Sequence, residues 1–149
     1  MDKSISSFQL MDYSVDAIEF TVNPDFKQSG RIKLDFDIDS DVALLDEEEK
    51  ITKVVLACTV FKNYRRANKP FRLKVSISGL FKFSGDASQD QLMKFSEINA
   101  TAVLFPYLRA VITHVTSASN KTPLLLPLIN VYEFIEIKKR KVADANAQQ

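Results

Sequence analysis

Three stretches of the chain alternate apolar and polar side chains with the period of two that a half-buried strand requires. Residues 32–38 alternate without error, with Ile32, Leu34, Phe36 and Ile38 on one parity and Lys33, Asp35 and Asp37 on the other. Residues 71–84 do the same, setting Phe71, Leu73, Val75, Ile77, Phe81 and Phe83 against Arg72, Lys74, Ser76 and Ser78. Residues 8–22 alternate with two changes of parity: Phe8 and Leu10, then Tyr13, Val15 and Ala17, then Ile18, Phe20 and Val22. Such switches predict bulges that bend a strand or re-aim its side chains. A fourth stretch, within 51–62, is the run Val54-Val55-Leu56-Ala57-Cys58-Thr59-Val60-Phe61. A β-branched run of that length fits a central strand covered on both faces, although periodicity alone leaves helix open.

The connections are short. Residues 23–31 carry Pro24, Gly30 and an isolated Phe26, and residues 62–70 form a basic turn. Hairpin-length links between strands predict antiparallel pairing. From residue 86 the period lengthens: Leu104, Leu108, Val111 and Val115 make one helical stripe. Pro106 is expected in that helix's first turn, where its missing N–H costs little. Residues 122–129, with Pro123 and Pro127, predict an extended apolar segment. Asn130 and Glu133 form a capping pair for a last helix, with Val131, Phe134, Ile135 and Lys138 facing inward. The basic run at 138–141 suits its C-terminus. The expectation is one α+β domain over residues 1–142, a four-stranded antiparallel sheet followed by two main helices, with 143–149 a disordered tail.

Composition narrows the function. The chain has 149 residues, one domain's worth at roughly 100–200 per domain. Its formal net charge of +1 argues against nucleic-acid binding by bulk positive charge. Three glycines leave no material for a glycine-rich phosphate loop. One cysteine and one histidine make an internal disulfide impossible and a Cys- or His-rich metal site implausible. No cofactor is expected. The start, Met1-Asp2-Lys3-Ser4, does not read as a signal peptide, and no apolar run approaches the ~20 residues of a membrane span. A reducing, cytoplasmic setting without membrane insertion is the expectation.

Several groups invite chemistry. Counting from Asp37 puts Asp39, Asp41 and Glu48 at calcium-loop positions, but Val42 stands where such a loop needs glycine. A solvated acidic face is the simpler reading. His114 reads as a surface imidazole and Cys58 as a buried thiol. Arg65-Arg66 and the 138–141 run read as solvated charge rather than as a nucleic-acid site. The stronger anomaly is apolar excess. Phe105, Ala110 and Ile112 lie off the Leu104 stripe, and Leu124-Leu125-Leu126 adds more. Either a tight monomer core absorbs it, or two helices on four strands leave apolar surface for an oligomer interface and a groove for apolar ligands.

At this point a resemblance enters. Leu104-Phe105-Pro106-Tyr107-Leu108-Arg109, followed by Pro123-Leu124-Leu125-Leu126-Pro127-Leu128-Ile129-Asn130, resembles the LFPYAR and P-x-L-x-L-x-P-V-N-F stretch of SecB-type chaperones. Phe8-Gln9-Leu10, Ile18 with Phe20, Lys33-Leu34-Asp35-Phe36-Asp37, and Gly79-Leu80-Phe81 with Gly85 match in the same order across residues 8–137. The resemblance implies an ATP-independent, bacterial cytoplasmic chaperone. It would be a homotetramer, a dimer of dimers, that holds unfolded polypeptide clients in apolar grooves. It places Phe26, Ile32, Leu34, Phe36, Val131, Phe134 and Ile135 in the groove. An alternating strand accommodates an extended chain of almost any sequence.

The chain departs from the export branch of that family. Export members dock the ATPase SecA through an acidic outer sheet face. The aligned positions here are Ala17, Thr21, Arg72 and Lys74, with Asp16 and Glu19 the acidic residues nearby. Missing or opposite charge weakens such an interface. Residues 143–149 also lack the family's SecA-binding tail. The remaining resemblance is to chaperones of toxin–antitoxin–chaperone systems, which protect an antitoxin. Delivery of preproteins to SecA is the alternative, and an adaptor that binds one folded partner through its sheet face is another.

Overall fold

The computed structural model describes residues 7–148, so residues 1–6, including the Met1-Asp2-Lys3-Ser4 start, and residue 149 lie outside it. Four strands, β1 (Phe8–Val22), β2 (Phe36–Asp46), β3 (Ile51–Val60) and β4 (Phe71–Phe83), precede two helices, α1 (Gln89–Ala118) and α2 (Val131–Ala147). The strands form one antiparallel sheet in the order β1-β4-β3-β2. The chain therefore crosses the whole end of the sheet between β1 and β2, and residues 23–35 make that crossing.

The parity changes in β1 are real. The β1–β4 register shifts between Leu10 and Asp12, where the apolar pattern switches, and again between Val15 and Ala17, one residue before the expected switch. Ala17 therefore faces outward opposite Ser76 rather than inward with Val15. The inner face of the sheet is dry: Val54, Leu56 and Val60 of β3 and Leu73, Val75 and Ile77 of β4 are fully buried beneath Leu104, Leu108 and Ile112 of α1. Burying each such side chain stabilises the fold by about 1.5–3 kcal/mol before chain entropy is counted. Thr52 and Ser96 share a buried hydroxyl–hydroxyl hydrogen bond of 3.0 Å between β3 and α1.

Three expectations need correction. The strand expected at 32–38 begins at Phe36 and continues to Asp46. Ile32 and Leu34 thus sit in the crossover, and their alternation reflects an extended segment packed beside the sheet. Pro106 lies inside α1, not in its first turn. The helix starts earlier because Ser88 and Gln91 close a capping box. Pro106 is tolerated on the helix's exposed side. Finally, α2 runs through Ala147, so residues 143–147 are helical rather than a disordered tail. The Asn130 cap is as expected, its side-chain oxygen accepting from the Glu133 N–H at 3.0 Å.

Helix α1 is long and apolar enough to cross a bilayer by length and composition, with a mean hydropathy of 1.2 in its most apolar window. Here one side of it covers β3 and β4, while only 33% of that window is buried. Much of its apolar surface therefore stays open.

Candidate binding cleft

The crossover fixes the site. Asn23 is buried and clamps the crossover to the β3–β4 turn: its backbone N–H donates to Pro70 O at 2.9 Å and its side-chain amide to Lys69 O at 3.0 Å. Lys27 and Asn68 exchange two more hydrogen bonds, backbone N–H to Asn68 Oδ1 at 3.0 Å and Asn68 Nδ2 to Lys27 O at 2.9 Å. Lys69 Nζ donates to Lys33 O at 2.7 Å, and Phe61 N–H to Asp35 O at 2.9 Å. These bonds hold the crossover along the turn without adding it to the sheet.

The opposite wall is the 122–129 segment, and α1 pins it. Arg109 Nε donates to Leu126 O at 2.9 Å and Thr113 Oγ1 to Leu124 O at 2.7 Å. Thr116 Oγ1 accepts from Leu124 N–H at 2.9 Å. Leu126 is thereby held fully buried while Leu125 and Leu128 face outward. Arg109, the arginine of the Phe-Pro-Tyr-x-Arg stretch, is a structural clamp.

Between the two walls lies an open cleft of about 450 Å³. Phe26, Ile32 and Leu34 line it together with Phe61, Phe71, Pro70 and Leu124. Three of the expected groove residues thus converge. Phe61 and Phe71 pack edge to face at 5.2 Å. Phe61 is held at φ 55°, a left-handed conformation unusual for an aromatic residue, at an energetic cost of about 1–3 kcal/mol. Its ring and that of Phe71 are nearly buried and form the floor of the cleft, so the exposed lining comes from Phe26, Ile32 and Leu34. The sequence offers no signal for that backbone reversal. Phe61, Phe71 and Leu124 were legible only as strand or extended apolar residues.

The other expected groove residues lie elsewhere. Phe36 stacks on Phe134 at 5.5 Å, joining β2 to α2. Val131 and Ile135 are each 3% exposed and belong to the core. In this conformation they present no surface to a ligand. Lys138 of α2 reaches Asp37 at 3.0 Å, Ile38 O at 2.8 Å, and Asp39. Burial lowers its pKa, but hydrogen bonds to Asp39 and Asp37 outweigh this and hold it above the usual lysine value.

On the sheet's outer face, Ala17 pairs with Ser76, Glu19 with Lys74 and Thr21 with Arg72. These residues share one face, with Asp16 at the neighbouring bulge. The face carries both signs, acidic on β1 and basic on β4. His114 is exposed on α1, and Cys58 is buried in β3. Burial first, and the charge of Asp37 second, push the Cys58 thiol up to about 12.

A second apolar surface flanks α1. The inward-facing side chains of β1 extend beyond the helix: Tyr13, Val15, Ile18 and Val22 are all exposed, as are Val103 and Tyr107 of α1. Tyr13 stacks on Tyr107 at 4.6 Å and joins the two stripes.

Comparison with known proteins bears on the fold as a whole. Residues 4–141 match the family model of the preprotein translocase subunit SecB. An uncharacterised protein of Methanocaldococcus jannaschii is 32% identical over 125 residues, covering 84% of this chain and 80% of the relative. The protein-export protein SecB of Anaplasma phagocytophilum is 33% identical over 76 residues, half of this chain and 48% of that protein. Among solved structures, the Mycobacterium tuberculosis Rv1957 SecB-like chaperone, in complex with a peptide from the HigA1 antitoxin, superposes with a TM-score of 0.68. It is 15% identical, and the match covers 82% of this chain and 90% of that one.

Proposed function

The chain belongs to the SecB family, and from that premise we propose that it is an ATP-independent holdase that keeps an aggregation-prone polypeptide extended in the cleft. The observation that carries this reading is the convergence of Phe26, Ile32 and Leu34 with Phe61 and Phe71 around an open volume of about 450 Å³. That is room for one or two large apolar side chains, not for a folded surface. An extended client would seat its side chains there and run along the crossover, with little demand on its sequence.

Within this function, protection of an antitoxin is favoured over delivery to SecA. The Rv1957 chaperone holds an antitoxin peptide, and the outer face here sets Lys74 opposite Glu19 where an acidic docking patch would need one sign. We further propose that the chain acts in the cytoplasm as a homotetramer, a dimer of dimers. The exposed flank of β1 and α1 is the natural interface, since apolar patches of this kind mark association sites.

The test is suppression of client aggregation by wild-type protein and by Leu34→Asp, with the circular dichroism spectrum as a folding control. The proposal expects the variant to fold and fail. A variant that protects the client normally would sink it. Unfolded peptides should also compete with the client; an adaptor working through its sheet face would be indifferent to them.

A further inference from the structure

The charge around the cleft is lopsided. The segments that frame it, residues 23–35, 61–71 and 120–124, carry eight lysines and arginines against two acidic residues, Asp25 and Asp35. The whole chain has a net charge of only +1, so the rest of the molecule is net acidic. The excess lies on the segments that frame the cleft. Lys121 lines the cleft itself. Lys33 is exposed between the lining residues Ile32 and Leu34. Lys69 Nζ sits 5.4 Å from the centre of the Phe61 ring, above the cleft's aromatic floor. None of these three ammonium groups is in a salt bridge among the described residues.

We propose that the cleft selects for charge as well as for apolarity. Its preferred occupant is an extended polypeptide segment in which large apolar residues are flanked by carboxylates. The inference rests on the reading of this cleft as the client site. An apolar anchor seated against Phe61 and Leu34 brings its chain neighbours within a few ångströms of the rim. Glutamate or aspartate there meets lysines free of any salt bridge among the described residues, whereas lysine or arginine meets like charge. The lysines are solvent-exposed, so each pairing is modest and screened by salt, and the selectivity comes from several acting together.

The test uses two short dansyl-labelled peptides with the same Leu-Phe-Leu core, one flanked by glutamates and the other by lysines. Affinity is read by fluorescence anisotropy on the intact protein. The expected result is tighter binding of the glutamate peptide by about tenfold at low salt, a difference of about 1.4 kcal/mol. The preference should fade near 1 M salt, where the Debye length is about 3 Å. Lys33→Glu with Lys121→Glu should reverse it, and the milder Lys33→Gln with Lys121→Gln should reduce it. Equal binding of both peptides, a preference for lysine, or a glutamate preference untouched by these variants would overturn the charge selection while leaving the cleft as the client site. Failure of both peptides to bind, or binding that ignores Leu34→Asp, would overturn the cleft reading itself and the selection with it.

Discussion

The protein leaves two apolar surfaces uncovered, and they differ in kind. The cleft is concave, walled largely by irregular backbone, and lined by residues from three separate segments that are rich in lysine and arginine. The β1–α1 flank is built on a regular strand and a regular helix, and its side chains stand in two long stripes joined by the Tyr13–Tyr107 stack. A regular, extended surface is suited to a partner of fixed shape, above all a second copy of the chain. A concave surface with adaptable walls suits an occupant whose sequence varies. On the proposed reading, the same chemistry, exposed hydrocarbon, would serve assembly in one place and capture in the other, with the backbone beneath deciding which.

The comparison breaks most sharply if the flank is charged. Val15→Asp combined with Ile18→Asp would bury unpaired carboxylates in any assembly made through β1, at about 3 kcal/mol or more each. Native mass spectrometry should show the loss of the proposed tetramer, while short peptides still bind the cleft. Next in size is Gly79→Val. A Cβ there would lie 2.8 Å from Phe81 Cε2, 3.0 Å from Leu104 Cδ2 and 3.2 Å from Leu10 Cδ1, at the junction of α1, β1 and β4. Overpacking of this kind should lower stability by about 3 kcal/mol in urea unfolding and degrade both surfaces together. Leu34→Asp is the reciprocal of the flank change: client affinity should fall by about 2 kcal/mol with the assembly mass unchanged.

Two smaller effects sharpen the contrast. Phe134→Ala removes the ring stacked on Phe36 and should cost about 1 kcal/mol of stability, with little change in peptide binding because that stack stands apart from the cleft. Cys58 serves as an internal reporter. Its thiol is neutral in the folded protein, with a pKa raised from 9.0 to about 12. The associated stability is complete below pH 9 and is lost as the pH rises from there toward 12. A thiol reagent at neutral pH should therefore label Cys58 only in variants whose core has opened, so the flank and cleft variants should both remain unlabelled.

Much of this architecture is legible in the chain. Period-two alternation located β1 and β4, and a continuous β-branched run located β3. The first parity switch in β1 fell at a register shift and the second one residue after one, because a bulge must change which face a side chain occupies. The family resemblance rests on Phe105-Pro106-Tyr107 with Arg109 and the Pro/Leu segment, and the clamp from Arg109 to Leu126 O gives that pairing a physical reason. What misled was also physical. Ile32 and Leu34 alternate because a cleft and a sheet both reward extended backbone, so the pattern could not separate crossover from strand. The true continuation of β2, through Asp39, Asp41 and the apolar Val42 and Leu44, was obscured by its charges. Phe61 takes a positive φ at the floor of the cleft, and no local pattern announces that in a phenylalanine. Val131 and Ile135 were correctly placed on the inner face of α2, yet that face closes onto the core.

The central claim is that clients occupy the cleft and not another face. Hydrogen–deuterium exchange, read by mass spectrometry with and without a permanently unfolded, reduced and alkylated protein, tests it most directly. The account predicts client-dependent protection of backbone amides within residues 26–34 and 120–124. Protection confined instead to 16–21 and 72–76, the outer sheet face, would contradict it.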